Sequence, residues 1–288
     1  MSELGPHVLT APAKLNLCLY LGGTRDDGLH ELCSVFTPIS LADRLVISDG
    51  DAPFDEVICP GIAGPDLTAR ALEALREAGW RRSPLRIEVE KRTPVAAGLG
   101  GGSADAAAVL RLAADDLPEE ELMRIAARLG ADVPSQVHPR TSLVGGAGEL
   151  VAPLPEPDPF AVVLLPDSEG LPTPAVFAEA DRLGLPRSAA EIEERRAAVA
   201  GAFATGGEVS THLDLLVNDL QPAALSLRPA IAGALAALED AGALLARVTG
   251  SGPTAFGVFE TVADAERAAA AIEAGGRQAI VALSGTEA

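Results

Sequence analysis

Pro94-Val-Ala-Ala-Gly-Leu-Gly-Gly-Gly-Ser-Ala104 is the stretch on which the fold turns. Ahead of it, Leu85, Ile87 and Val89 alternate with Arg86, Glu88 and Glu90, the period-two pattern of a half-buried strand that ends at Thr93-Pro94. Behind it, from Ser103 to about Asp115, an alanine-rich segment reads as a helix. A strand, a glycine loop and a helix start make a phosphate cradle. Glycines let the backbone approach an anion, while unpaired N–H groups and the helix dipole supply positive potential. The candidate binding loop is therefore Pro94, Val95, Ala96, Ala97, Gly98, Leu99, Gly100, Gly101, Gly102, Ser103 and Ala104. Ser103 is placed either to cap the helix or to bind a phosphate oxygen.

Two familiar glycine motifs do not fit. A Walker loop needs a lysine after its glycines, and none follows here. The dinucleotide fingerprint needs G-x-G-x-x-G with an acidic residue closing a second strand, whereas Ser103 follows these glycines and the downstream segment is helical. A flexible linker or a plain strand-to-helix turn is the competing reading, but linkers seldom lead so directly into a good helix.

The rest of the chain narrows the partners. Its 288 residues suffice for two ordinary domains, and 48% hydrophobic with 22% charged residues is a globular composition. Uncharged stretches such as 93–104 are too short to span a bilayer, and the start, Met-Ser-Glu-Leu-Gly-Pro, lacks the regions of a signal peptide. A cytoplasmic protein is the expectation. Cys18, Cys33 and Cys59 have neither metal-ligand spacing nor the density of a disulfide scaffold, and read as reduced thiols. The net charge of −19 repels nucleic acid and anionic membrane, so an anionic ligand must be held by local devices. Of 22 basic residues only Lys14 and Lys91 are lysines. A lysine surviving among 20 arginines is a flag for a compact ammonium, which a guanidinium cannot imitate.

Organisation follows from periodicity. Val8–Leu21 reads as a strand with Leu15, Leu17, Leu19 and Leu21 on one face and Lys14, Asn16, Cys18 and Tyr20 on the other. His30–Ile39 looks extended, Asp66–Ala78 is a helix stopped at Gly79, and Pro118 opens another helix closed by Gly130. Two short strands flank Gly145–Gly148. A proline-rich run from Pro153 to Pro166 suggests a boundary near 155, dividing the chain into 1–155 and 156–288. Beyond it, strands at 160–165, 244–249, 254–259 and 278–283 alternate with helices, which indicates an α+β sandwich in each half.

Four further features carry chemistry. Asp132, in Gly130-Ala-Asp-Val-Pro134, either caps the next helix or takes a proton from a substrate hydroxyl. Lys14, with Asn16 on the same face, is either a snorkelling edge lysine or an ammonium beside a carboxylate and a transferring phosphoryl group. Thr249-Gly-Ser-Gly-Pro-Thr254 is a hairpin turn or a ligand loop. His30 follows Gly28-Leu and alone counts for little, while Lys91, beside Arg92 at a strand end, reads as a solvated charge.

In their order and spacing these segments resemble the GHMP small-molecule kinases over essentially the whole chain. That family carries an N-terminal motif, a central P-x-x-x-G-L-G-[GS]-S-type ATP loop and a C-terminal glycine motif. Ala11-Pro-Ala-Lys-Leu-Asn-Leu-Cys-Leu19 with Gly28-Leu-His30 is most similar to the branch that acts on CDP-methylerythritol in the methylerythritol phosphate route to isoprenoids. The resemblance implies a two-domain α+β fold, with an N-terminal ribosomal-protein-S5-like domain and a C-terminal ferredoxin-like α/β sandwich. It implies ATP-dependent phosphorylation of a tertiary C2 hydroxyl, with Asp132 as base and Lys14 holding that base ionised. It also implies that residues 94–104 wrap the ATP phosphates, bridged by Mg²⁺ through ligands it does not identify. Asn16, His30, Thr173, Phe177, Gly250, Ser251 and Gly252 would then bind substrate, Phe177 stacking on cytosine. Monomer and homodimer both stay open. Two departures stand out: Leu29 replaces a tyrosine found in some members, so stacking is one-sided, and Ala104 replaces a second serine. A homoserine or mevalonate-type kinase and a catalytically silent nucleotide-binding module are the rival readings. The retention of both Lys14 and Asp132 speaks against the silent module.

Overall fold

The computed structural model describes residues 7–61, 66–167 and 169–285, so the N-terminal hexapeptide read above for targeting lies outside it. The chain forms two compact units, neither continuous in sequence. The first comprises residues 1–13, 41–94 and 100–139, and the second 14–40, 95–99 and 140–288. Two long paired strands, β1 (His7–Thr24) and β2 (His30–Asp49), contribute residues to both. β2 runs ten residues past the expected end at Ile39, because Leu45 and Ile47 resume an inward alternation there and are fully buried.

In the first unit β3 (Glu56–Ile58) pairs parallel to β4 (Leu85–Glu90), and β4 pairs antiparallel with the end of β2, setting Leu45 opposite Val89 and Ile47 opposite Ile87. The described residues of this unit form the helices α1 (Leu67–Glu77), α2 (Gly101–Arg111), α3 (Glu119–Leu129) and α4 (Val133–Val137). Asp66 caps α1 by accepting the Thr68 N–H at 2.9 Å. The alanines of α2 have a packing reason. Ala104, Ala106, Ala107 and Ala108 are fully buried in the core with Leu72, Leu75, Val109 and Ile125, and α1 lies directly against them.

The second unit holds a four-stranded antiparallel sheet in the order β10 (Ile280–Leu283), β7 (Ala161–Leu165), β9 (Ala255–Phe259), β8 (Leu245–Val248). Its register places Val163 opposite Val281 and Gly257. A hairpin of β5 (Ser142–Gly145) and β6 (Leu150–Pro153) pairs with the beginning of β2. The helices here are α5 (Thr173–Arg182), α6 (Ala189–Ala202), α7 (Gln221–Leu227), α8 (Ile231–Asp240) and α9 (Val262–Ala274). α8 and α9 cover the sheet over a core of Val163, Leu165, Leu235, Leu238, Val248 and Phe259. Ser188 and Glu191 close a reciprocal capping box at the start of α6.

The elements expected from sequence beyond residue 160 appear within a residue or two of their expected ends. β1 is buried from Ala11 to Gly22, on the leucine face and on the Lys14 face alike. All three cysteines are free thiols, and burial pushes the Cys33 thiol up to about 11. Among the described residues no helix is long and apolar enough to cross a membrane.

Candidate functional site

In the second unit, β1 presents Lys14 and Asn16 on one face, and both are nearly inaccessible. Lys14 Nζ donates to Asn16 Oδ1 at 2.6 Å and sits 4.6 Å from the centroid of the Phe36 ring. Asn16 Nδ2 donates to Ser34 Oγ at 3.0 Å, and Ser34 Oγ donates to the Cys18 carbonyl. The lysine is therefore packed and oriented, which retires the snorkelling alternative.

Two glycine segments converge on it. The Lys14 N–H donates to the Leu99 carbonyl at 2.9 Å, and the Asn16 N–H to Thr249 Oγ1 at 3.1 Å. Gly98 has φ +75°, and a Cβ there would stand 2.5 Å from the Thr249 carbonyl oxygen. Only glycine permits that approach. At Gly250, φ +58°, a Cβ would lie 3.2 Å from Asn16 Oδ1 and 3.6 Å from Lys14 Nζ. The turn from Thr249 to Thr254 is thus more than a connection between β8 and β9: its backbone forms one wall around the lysine. Ala96 is held at φ 54°, a strained conformation for a residue with a Cβ, within the same loop.

Sequence reasoning missed the residue that anchors this turn. Asn218 Nδ2 donates to the carbonyls of Val248 and Gly250 at 2.7 and 2.8 Å, and Asn218 Oδ1 accepts the Leu220 N–H at 2.9 Å. An asparagine amid leucines was the available signal, but the partners lie some 30 residues away. Ser251 Oγ lies 2.9 Å from Thr173 Oγ1 at the start of α5, so the structure brings these two expected residues together.

His30 and Phe177 also meet, with ring centroids 5.2 Å apart and planes inclined by 43°. His30 Nε2 is 2.8 Å from Asp181 Oδ1 and 3.3 Å from Thr24 Oγ1. A hydrogen from Nε2 to that carboxylate leaves Nδ1 as an acceptor. Leu29 is 54% exposed, consistent with an aromatic wall on one side only.

In the first unit α2 begins two residues earlier than expected. Gly100 is the N-cap with φ 69°, Gly101 and Gly102 lie in the first turn, and Ser103 is its third residue. Ser103 is therefore not the N-cap. The first-turn N–H groups come from glycine and serine, and such a helix start suits an anion.

Asp132 occupies the N-cap position of α4 but makes no capping hydrogen bond with its side chain. The carbonyl of Asp132 accepts from Ser135 Oγ at 2.8 Å, and Arg111 Nη1 ties α2 to α4 through the Gln136 carbonyl at 3.0 Å. The capping role that the sequence left open for Asp132 is not the one it adopts.

Lys91 is a correction. It is not a solvated charge: its side chain is 15% exposed and its Nζ pairs with Asp43 and with Asp105 Oδ2, the latter at 2.7 Å. Asp43 lies 48 residues back and Asp105 a full loop ahead, so local pattern could not reveal the pairing. Among the described residues no group of three or more His, Cys, Asp or Glu side chains is arranged to hold a metal ion.

Residues 66–140 match the family model described as GHMP kinases N terminal domain, and residues 189–278 match GHMP kinases C terminal. The chain is 39% identical to the 4-diphosphocytidyl-2-C-methyl-D-erythritol kinase of Gluconacetobacter diazotrophicus, over 92% of this chain and 90% of that one. It is 42% identical to the enzyme of the same name from Rhizobium johnstonii, over 91% and 87% respectively. A crystal structure of 4-(cytidine 5'-diphospho)-2C-methyl-D-erythritol kinase superposes with a TM-score of 0.77 at 33% identity, covering 97% of this chain and 99% of that chain. A homoserine kinase from Cytophaga hutchinsonii shares the fold, with a TM-score of 0.72 at 18% identity.

Proposed function

From the premise that this chain belongs to the GHMP kinase family, we infer its reaction: ATP-dependent phosphorylation of the C2 hydroxyl of 4-diphosphocytidyl-2-C-methyl-D-erythritol, giving the 2-phosphate and ADP for isoprenoid synthesis. The observation that carries the choice of substrate is about 40% identity, across nine tenths of the chain, to relatives bearing that enzyme's name. Homoserine kinases share only the fold.

Phosphoryl transfer asks the protein mainly for positioning and charge stabilisation. The N–H groups of residues 98–103 would hold the ATP phosphates, and the Ser103 hydroxyl adds one donor. That donor set complements phosphate oxygens, so Mg²⁺ would take its ligands from those oxygens and from water. When bound, the ion neutralises the charge that builds on the phosphates. Asp132 would accept the proton of the C2 hydroxyl as the attack proceeds, and Lys14 would supply the ammonium that favours the ionised base and the transferring group. Asn16 orients that ammonium through the 2.6 Å hydrogen bond. Gly250, Ser251 and Gly252 would border the substrate.

At the other end of the substrate, Phe177 would stack on cytosine and His30 Nδ1 would accept from its amino group, with Asp181 fixing the tautomer. Base–aromatic stacking contributes about 1–3 kcal/mol. Phe177→Ala is therefore expected to raise KM for the cytidine substrate by roughly 5- to 150-fold, with kcat and KM for ATP little changed. Steady-state kinetics in each substrate separates these. An unchanged KM for the cytidine substrate removes Phe177 from the site.

The function itself is tested by ADP release from ATP and Mg²⁺ with CDP-methylerythritol, homoserine or mevalonate offered separately. Turnover is expected with the first alone. Turnover only with one of the other two refutes the reading.

A further inference from the structure

The first unit buries a charged cluster that the transfer chemistry leaves unused, and it joins three elements. Asp43, on β2, accepts the N–H groups of Arg92 at 2.6 Å and Thr93 at 2.7 Å, the residues that lead from β4 into the binding loop. Lys91 Nζ bonds that same carboxylate and Asp105 Oδ2, on the fifth residue of α2. A Cβ on Gly101, the first residue of α2, would lie 2.9 Å from Thr93 Cγ2 and 3.3 Å from Asp43 Oδ2. The cluster thus clasps the helix start directly onto the strand exit.

Its charge is unbalanced. Two carboxylates share one ammonium, and Asp43 and Asp105 are only 0% and 3% exposed. Asp105 Oδ1 and Thr93 Oγ1 are buried with no hydrogen-bond partner among the described residues. A buried carboxylate oxygen without a donor penalises the ionised form far more than the neutral acid. The remaining titratable groups facing Asp105 are Asp66, the cap of α1, and the Cys59 thiol. Burial is the largest influence and pushes the Asp105 carboxyl up to about 7, opposed by Lys91 and reinforced by Asp43 and Asp66. Burial also acts to lower the Lys91 ammonium, but the two carboxylates outweigh it and hold Lys91 above its ordinary value. With its carboxyl pushed up to about 7, Asp105 gains or loses a proton near neutral pH while Lys91 keeps its charge.

A polyphosphate seated at the start of α2 brings more negative charge to this corner, and like charge favours the neutral carboxyl. We propose that the Asp43–Lys91–Asp105 clasp couples nucleotide binding to proton uptake, a solvent proton bonding to the Asp105 carboxylate as the phosphates arrive. Asp105 is then a positioning residue, acting on the loop through Lys91 and Asp43. The inference rests on the ATP reading above. By reciprocity, nucleotide affinity is full while Asp105 is already protonated and falls as pH rises through its unliganded value, by at most about tenfold per pH unit.

Isothermal titration of Mg·ADP into wild-type protein and Asp105→Asn, in buffers of differing ionisation enthalpy, counts the protons directly. The nucleotide's own titration is common to both proteins and cancels in the comparison. Near neutral pH the wild type is expected to take up a large fraction of one proton more than the variant. Its affinity is expected to fall about tenfold more than the variant's between about pH 6.5 and 8.5. Equal proton counts overturn the proposal, as does a variant that merely binds more weakly at every pH. Should Asp105→Asn fail to fold, Asp43→Asn serves. Removing that neighbouring negative charge should move the wild-type midpoint to lower pH, and an unmoved midpoint overturns the proposal equally. Absence of any binding heat with the wild type refutes the ATP reading, and the proposal falls with it.

Discussion

Asp132→Asn is expected to lower kcat by about 10²–10⁴-fold while leaving nucleotide binding intact. Asparagine keeps the shape and polarity of the side chain but cannot take a proton from an alcohol. The Asp132 side chain does not cap α4, and the carbonyl that anchors Ser135 is backbone, so the substitution removes no helix-capping bond. Loss of activity with intact nucleotide binding and an unchanged melting temperature would report chemistry rather than folding. Single-turnover ADP release, with nucleotide affinity measured in parallel, makes the separation. Residual turnover within tenfold of wild type means that another group accepts the proton.

Lys14→Arg is expected to be as damaging, although it conserves charge. Lys14 is 4% exposed, and its ammonium fits between Asn16 Oδ1, the Phe36 ring and the Gly250 backbone. A guanidinium is planar and larger than an ammonium, and overfilling a packed site costs about 1–3 kcal/mol. Even a displacement of about 1 Å at a reacting centre costs roughly 10²-fold in rate. We expect kcat to fall by at least about that factor, with a modest loss in melting temperature and ATP still bound. Lys14→Met separates the two effects, since it fits the space but carries no charge. Near-normal kcat in either variant removes the ammonium from the mechanism.

The local part of the site was legible because its physics is local. The binding loop announces itself by glycines between a strand pattern and a helix pattern, and Lys14 and Asn16 share a face because strand side chains alternate. The meeting of His30 with Phe177 and of Thr173 with Ser251 was not readable from spacing. The start of α2 was placed two residues late because glycines weigh against a helix interior. Here they are tolerated in the first turn, where Gly101 must pack against Thr93 and Asp43.

By itself the sequence determined the family, most of the strands and helices, and which motifs are candidates for the chemistry. Each of those is written in residue type and short-range spacing. Only the tertiary structure decided which buried charges and amides hold the motifs in place. Asn218 fastens the turn around Gly250, Asp43 gathers the strand exit before the loop, and Lys91 proves to be the cation between two buried carboxylates. The physical reason is common to all three. A buried polar group must find its partners wherever the chain returns to it, and that distance along the sequence leaves no periodic trace.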